Sequence, residues 1–254
     1  MTMFSQLRHQ VAIDLKIFRR NPAATFFTVI LPLIFLFIFV GLYGNQELDN
    51  GARVANFYVA GILALSIVSA TMVNVAMGMT ARRERGILKR VRGTPLRPIV
   101  FIAAQAVASI VIAAVMSVVL ITIGWVVFDV SLSPSAAGPL IGSVTIGAMS
   151  FSVLGLALTI LIPSEEAAPA VTNAIVLPLY FISDVFIADF DKPPALEAVA
   201  KFFPVQHLSS ALYKAFDPTA TGTNWPLGDW LIILVWGLVG VGATSTWFRW
   251  TPRR

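Results

Sequence analysis

The side chains of this sequence that could do chemistry are concentrated in one charged segment, residues 82–97, which contains seven basic residues and one glutamate. Seven basic residues are more than membrane topology needs, which favours a partner-binding segment over a solvated loop that only fixes topology. The chain has no cysteine, which excludes a disulfide framework, a thiol nucleophile and a Cys-ligated zinc site. His9 and His207 are far apart in sequence and are predicted on opposite sides of a membrane, so no shared metal site is expected.

Motifs for catalysis and nucleotide binding are missing from the sequence. No G-x-x-x-x-G-K-[ST] stretch occurs, so the backbone cradle and the lysine that hold ATP phosphates are lacking. Neither G-x-S-x-G nor H-E-x-x-H is present, and the long apolar stretches contain no titratable group that could relay protons. We therefore predict that the chain is not an enzyme and that any ATP hydrolysis comes from a partner subunit.

The composition indicates a membrane protein. Of the 254 residues, 57% are hydrophobic and only 12% are charged, a balance that soluble domains almost never reach. A net charge of +5 would raise the question of nucleic-acid binding, but the basic residues lie beside long apolar stretches. Membrane lipid is therefore the expected surrounding, and no nucleic-acid partner is predicted.

Six stretches with at most one Asp, Glu, Lys or Arg are long enough to cross a bilayer. Crossing about 30 Å of hydrocarbon takes roughly 20 apolar residues, and one charge at mid-bilayer costs about 2.5–3.5 kcal/mol. The sequence thus predicts an all-α integral membrane protein with six transmembrane helices. Their ranges are residues 24–43, 57–80, 99–128, 138–161, 168–187 and 229–248.

The distribution of basic residues predicts the orientation. With six spans, all but four of the 18 Lys and Arg residues fall on the side of the two termini. Because cytoplasmic loops retain Lys and Arg, both termini and the loop after the second span are predicted to be cytoplasmic. The four exceptions are Arg53, Lys192, Lys201 and Lys214.

Residues 1–22 are predicted to form an amphipathic elbow helix in the membrane plane, ahead of a transmembrane domain at 23–250. Its apolar residues recur every three or four positions and would face the acyl boundary. Asn21 and Pro22 then break the helix. The apolar stripe comprises Phe4, Leu7, Val11, Leu15 and Phe18. The polar face comprises Arg8, His9, Asp14, Lys16 and Arg19.

Three shorter helices are predicted outside the spans. The charged segment forms one at 82–92, which Gly93 and Pro95 stop because glycine can adopt the left-handed conformation and proline cannot continue a helix. Residues 194–216 contain two apolar periodicities separated by Pro204, each too short to cross the bilayer. They are predicted to be short external re-entrant helices before the last span.

Three sequence stretches resemble a known family. They are RERGILKRVRGTPL at 83–96, LPLYFIS at 177–183 and FPVQHL at 203–208. With the elbow helix ahead of the first span, they resemble the type-2 ATP-binding cassette (ABC) permeases, and most nearly their drug-exporting, daunorubicin-resistance-like branch. The resemblance covers essentially the whole chain, and the first stretch is its most specific part.

The resemblance implies a half-size permease that pairs with a second copy and with two separate ATPase subunits, which supply the ATP and Mg²⁺ chemistry. It makes 82–92 a coupling helix that docks onto the ATPase, and it places the substrate path at the dimer interface along the second and fifth spans. The implied coupling residues are Arg83, Glu84, Arg85, Gly86, Lys89 and Arg90. The implied path residues are Phe57, Met72, Asn74, Met77, Asn173, Phe181 and Ser183.

The function expected from this resemblance is export of a hydrophobic or amphipathic compound across a bacterial plasma membrane by alternating access. Export of a polysaccharide or lipid-linked glycan is the first alternative, although the mainly aliphatic spans favour the drug-like substrate. An ion-coupled secondary transporter is the second alternative.

Overall fold

The computed structural model describes residues 2–43, 45–46, 53–93, 98–130, 132, 134–186, 193–217, 225–248 and 251. Across these residues the regular structure is helical and no β-strand occurs, which confirms the all-helical prediction. The helices are α1 (Met3–Arg19), α2 (Pro22–Tyr43), α3 (Val54–Glu84), α4 (Ile87–Arg92), α5 (Pro98–Phe128), α6 (Ala137–Leu158), α7 (Ala168–Ile182), α8 (Pro194–Phe202), α9 (Pro204–Phe216) and α10 (Leu227–Trp247).

Five of these helices are long and apolar enough to cross a membrane: α2, α3, α5, α6 and α10. The predicted fifth span, 168–187, is helical only over the 15 residues of α7. That length corresponds to about 22 Å at 1.5 Å per residue, short of the roughly 30 Å of hydrocarbon. The helix ends because Ser183 leaves the helical conformation and Asp184 has a positive φ of 54°. Six crossings therefore remain a prediction.

The N-terminal helix differs from the predicted elbow in two details. α1 lies against α5, and the half-buried Leu15 and Phe18 of its apolar stripe pack against the hydrophobic core. Asp14, predicted on the polar face, is instead buried. The exposed apolar residues of α1 include Ile13 and Ile17, outside the predicted stripe. Two residues of the predicted stripe, Leu15 and Phe18, thus pack against the hydrophobic core of the protein.

α3 is the central helix of the bundle. In its most apolar stretch 83% of the residues are buried, against 22% for α2 and for α10. It contacts α2, α5, α6, α7 and α9. A helix that is apolar on all sides is expected to be buried in this way.

Proline in α2 is accommodated by a hydrogen bond from α3. Pro32 has no N–H, so the carbonyl of Thr28, four residues earlier, lacks its usual helical donor. α2 makes a π-helical turn at Phe26–Ile30 beside the π-helical turn Ser69–Val73 of α3. The hydroxyl of Ser66 donates to the Thr28 carbonyl at 3.4 Å. Neighbouring side chains satisfy freed carbonyls in this manner inside membranes.

Two glycines allow the backbones around α3 to approach closely. A Cβ atom on Gly155 of α6 would lie 2.5 Å from the carbonyl oxygen of Met72. On the same central helix, a Cβ on Gly61 would collide with the backbone of Val185, just beyond α7. Small residues at helix contacts favour association in membranes because they allow such close packing.

Replacing Gly155 with alanine is expected to lower the melting temperature of the detergent-solubilised protein. The new methyl group would meet the Met72 carbonyl, and overpacking of this kind costs about 1–3 kcal/mol. Gly41→Ala in α2 is the matched control, since a Cβ there meets nothing within 4 Å. Equal melting temperatures for the two variants would contradict the close contact between α3 and α6.

Candidate functional site

The basic helix is a separate element from the central helix. α3 continues to Glu84, and Gly86 then takes a φ of 68°, a left-handed conformation that glycine adopts readily. α4 comprises only Ile87–Arg92. The prediction of one helix at 82–92 is therefore wrong, because its first turn belongs to α3. Pro95, part of the predicted stop, lies outside the described residues.

α4 is anchored on one side and charged on the other. Leu88 is fully buried in a small apolar cluster. Its neighbours there are Val75, Met79, Phe101 and Leu156. Arg85, Lys89 and Arg90 are exposed, and we call these three residues the basic surface. α4, held in place by its buried Leu88, thus presents Lys89 and Arg90 to solvent, and Arg85 lies beside them at the break between α3 and α4.

Arg83 does not belong to the exposed set in which it was predicted. It is 1% exposed, and its guanidinium donates to the carbonyls of Thr159 at 2.9 Å and Ile162 at 2.7 Å. Its Nε donates to the carboxylate of Glu84, also at 2.9 Å. The prediction that Arg83 is an exposed coupling residue is therefore wrong. Its charge is satisfied inside the protein by these three acceptors.

A second arginine at the break also contacts the segment that follows α6. Arg85 forms a two-pronged ion pair with Glu165. The hydrogen bond and the negative charge of Glu165 raise the pKa of Arg85, so the guanidinium stays cationic. Of the predicted coupling residues, Arg83 and Arg85 therefore reach towards α7, whereas Lys89 and Arg90 lie on the exposed side of α4.

A buried polar cluster joins α1, α3 and α5. Arg82 donates to Asp14 at 2.7 Å and to Gln105 at 2.8 Å, and its guanidinium lies 5.4 Å from the centre of the Phe101 ring. Burial raises the pKa of the Asp14 carboxyl, while the charge of Arg82 and hydrogen bonds from Arg82 and Gln10 act in the opposite direction. This cluster was missed from the sequence, although Asp14 shares a helix face with the apolar stripe.

The predicted substrate-path residues of α3 are mostly enclosed. Met72 is buried, and Asn74 and Met77 are half-buried. Phe57 lies at the other end of α3, where its ring centre is 5.6 Å from that of Tyr213 in α9.

The predicted path residues at α7 have different surroundings. Asn173 and Phe181 are exposed on one face of the helix. Ser183 is buried beyond its end, and among the described residues its hydroxyl has no hydrogen-bond partner. α3 and α7 are in contact. Some of the predicted path residues lie between these two helices, and others lie on the uncovered face of α7.

Tyr180 links the two helices, which sequence reasoning did not single out. Its hydroxyl lies 3.1 Å from the Ser69 hydroxyl and 3.3 Å from the Leu65 carbonyl. Beside it, Phe186 is the centre of an aromatic cluster with rings from α2 and α7. The sequence feature that could have indicated this link is a tyrosine within an apolar stretch, on the same helix face as the buried Val176.

A polar cluster at the opposite end of the bundle was also missed. Asp229 accepts from Lys214 at 2.7 Å and lies 2.8 Å from Nδ1 of His207, whose Nε2 is 2.8 Å from the Lys201 carbonyl. The cluster holds α8, α9 and the start of α10 together. The helices α8 and α9 and their interruption at Pro204 are as predicted, and their external position remains a prediction.

These features define a multi-pass membrane protein in which the buried central helix leads into a short basic helix. The sequence profile of the ABC-2 type transporter family matches residues 5–216, and the chain belongs to this family. It is accordingly a transport permease, and the family's permeases are transmembrane components rather than ATPases.

Relatives with known names agree with this assignment. The chain is 25% identical over 237 residues to the daunorubicin resistance ABC transporter permease protein DrrB1 of Streptomyces coeruleorubidus, covering 90% of this chain and 80% of that protein. It is 22% identical over 208 residues to YvfS of Bacillus subtilis (strain 168), named as a transport permease, covering 82% and 84%. It is 23% identical over 229 residues to ycf38 of Porphyra purpurea, also named as a transport permease, covering 88% and 76%.

Replacing Asp14 with asparagine is expected to remove one component of the pH dependence of stability. Because the pKa of the folded carboxyl is raised, folding favours its protonated form, and its contribution to the free energy of unfolding falls as pH rises above the ordinary aspartate pKa of about 3.9. Melting temperatures between about pH 4 and 7 should therefore fall less steeply with rising pH in Asp14→Asn.

The matched control is Asp129→Asn. Asp129 is an exposed aspartate paired with Arg53, and its φ of 54° suits asparagine. This variant removes the same formal charge at an exposed site, so the slope of Asp14→Asn is compared with it as well as with wild type. An identical slope in wild type and Asp14→Asn would contradict the raised pKa.

Proposed function

We propose that the chain is the transmembrane subunit of an ATP-driven exporter in a bacterial plasma membrane. Two copies pair with two separate ABC ATPase subunits, which bind ATP and Mg²⁺ and hydrolyse the nucleotide. The cargo is a hydrophobic or amphipathic compound such as a drug, an antibiotic or a lipid-like molecule. The similarity to DrrB1, named as a daunorubicin resistance ABC transporter permease, supports this cargo class.

The observation that carries the proposal is the basic surface at α4. Lys89 and Arg90 are exposed on a helix whose buried Leu88 fixes it against the bundle, and the exposed Arg85 precedes that helix. Topology alone requires positive charges but no fixed arrangement, whereas docking to a separate protein requires charges held in place. In this proposal α4 and both termini are cytoplasmic, and the ATPase contacts the basic surface.

The substrate path lies between two copies, along α3 and α7. α7 presents an uncovered face to the outside of the single chain. Its members are Ala170, Asn173, Ala174, Leu177, Pro178 and Phe181. An exposed amide such as that of Asn173 is unfavourable against lipid, so a second copy or a cargo molecule is a better neighbour for this face. ATP-driven closure of the ATPase pair would then shift the two copies between inward-open and outward-open states.

Reversing two charges of the basic surface is expected to detach the ATPase. The double variant Lys89→Glu and Arg90→Glu should lose at least about ten-fold in the ATP hydrolysis that co-purifies with a tagged chain in mild detergent, which corresponds to about 1.4 kcal/mol of binding. Lys16→Glu and Arg19→Glu, on exposed positions of α1, change the net charge equally and should retain the activity. Full activity of the α4 variant would contradict docking at this surface.

A single cysteine on the uncovered face of α7 is expected to cross-link two copies. The chain has no native cysteine, so Phe181→Cys provides a unique thiol on an exposed position. Mild oxidation in membranes should produce a disulfide-linked dimer on a non-reducing gel. Val118→Cys, equally exposed on α5, should remain monomeric. Cross-linking at position 118 but not at 181 would place the dimer contact on another helix.

A further inference from the structure

We infer that Arg83 is a positioning residue that fastens the base of α3 to the segment leading into α7, so that a displacement of α4 moves α3 and α7 together. This inference rests on the proposed function, since it assigns the displacement of α4 to a docked ATPase.

The side chain of Arg83 is fully committed to contacts inside the chain. Nη1 donates to the Thr159 carbonyl, Nη2 donates to the Ile162 carbonyl, and Nε donates to Glu84, with distances of 2.9, 2.7 and 2.9 Å. Of the fully buried side chains in the described part of the protein, that of Arg83 belongs to the largest residue by volume. A planar guanidinium can serve three acceptors in one plane, whereas a lysine ammonium cannot reproduce this fork.

The acceptors are groups that need an external donor. Thr159 is the residue at which α6 ends, and the last carbonyls of a helix have no intrahelical N–H partner. The carboxyl end of a helix also carries partial negative charge, which favours a nearby cation. Glu84 supplies a full negative charge beside the guanidinium. Arg83 therefore satisfies the end of α6 while its own charge is balanced.

The fastened segment leads directly into α7. Residues 159–167 form a compact connection in which the Ser164 hydroxyl accepts from the backbone N–H of Ala167 at 3.2 Å. The ion pair of Arg85 and Glu165 adds a contact from the other side of the helix break. Two arginines, two positions apart, thus hold this connection against the base of α3.

α4 is attached to the same group of elements. Leu88 packs against Leu156 in the last turn of α6 and against Phe101 of α5. The base of α3, α4, the end of α6 and residues 159–167 therefore form one contact unit, which we call the basal unit. A displacement of α4 therefore reaches α7 through the basal unit.

A merely stabilising arginine would lower the melting temperature on removal and leave the geometry of the basal unit unchanged. A positioning arginine has a further consequence, since its removal separates the motion of α4 from that of the α7 connection. A distance across the basal unit is therefore the informative readout.

The test uses two spin labels attached to Gly93→Cys and Glu166→Cys in the naturally cysteine-free chain. Gly93 ends α4 in an ordinary backbone conformation where a Cβ has no close contact below 3.4 Å, and Glu166 is exposed. Electron paramagnetic resonance measures the distance between the labels in the permease alone and in the complex with its co-purified ATPase, with and without ATP and vanadate. The backgrounds are wild type, Arg83→Met, Arg83→Lys and, as control, Arg53→Met at the opposite end.

The permease alone is expected to give one narrow distance distribution in wild type and Arg53→Met, and a broader one in Arg83→Met and Arg83→Lys. Trapping with ATP and vanadate should leave the wild-type distance unchanged and shift it in both Arg83 variants. The inference is overturned if the folded Arg83 variants keep the wild-type distribution in the permease alone, or if trapping changes the wild-type distance. Should Arg83→Met fail to fold, Arg83→Lys decides in the same way.

A failure of the proposed function can be told apart from a failure of this inference. If no ATPase co-purifies with the wild-type chain, the docking proposal fails, whereas the distributions measured in the permease alone still decide the role of Arg83.

Discussion

A helix that is enclosed by protein along most of its length must have hydrogen-bond partners within the bundle for the buried polar side chains at its two ends. α3 meets this constraint at both ends with a buried side chain. Asn56 donates to the carbonyl of Phe216 at 2.8 Å, at the end of α9. Arg83 donates to the carbonyls that follow α6. In each case α3 satisfies acceptors that the end of another helix leaves open, so its two ends are tied to different neighbours.

This arrangement gives the central helix a mechanical position in the permease. One end of α3 adjoins α4 and the connection to α7, and the other end adjoins α9 and the polar cluster around Asp229. Between them, Gly155 and Gly61 bring neighbouring backbones into direct contact with α3. Closely packed interfaces repack between discrete arrangements rather than deform gradually. A change at α4 is therefore expected to reach α7 and α9 as movements of whole helices.

Much of the fold could be predicted because charge and apolar length decide it locally. Stretches free of charged residues became helices, and Pro204 with its flanking periodicities gave the pair α8 and α9. The length of α7 was overestimated because residues 185–188 are apolar in sequence and were taken to continue the span, whereas the backbone turns at Asp184.

The candidate site was less accessible to sequence reasoning. A run of basic residues after a span suggests an exposed loop, and this holds for Lys89 and Arg90. Arg83 is the exception because its partners are main-chain carbonyls 76 and 79 residues away, which leave no trace in residue type or spacing. Asp14 was wrongly assigned to the polar face of α1, although it lies three residues after Val11 and four before Phe18 and so shares their side of the helix. Its partner Arg82 left no trace in the spacing either.

The central claim is that the end of the bundle carrying α4 faces the cytoplasm, where an ATPase can reach it. Membrane-impermeant thiol labelling of Arg90→Cys and Glu197→Cys in the cysteine-free chain tests it most directly, since both positions are exposed and lie towards opposite predicted sides. We expect intact cells to label position 197 only, and position 90 to react once inside-out vesicles expose the cytoplasmic face. Labelling of position 90 in intact cells would contradict it.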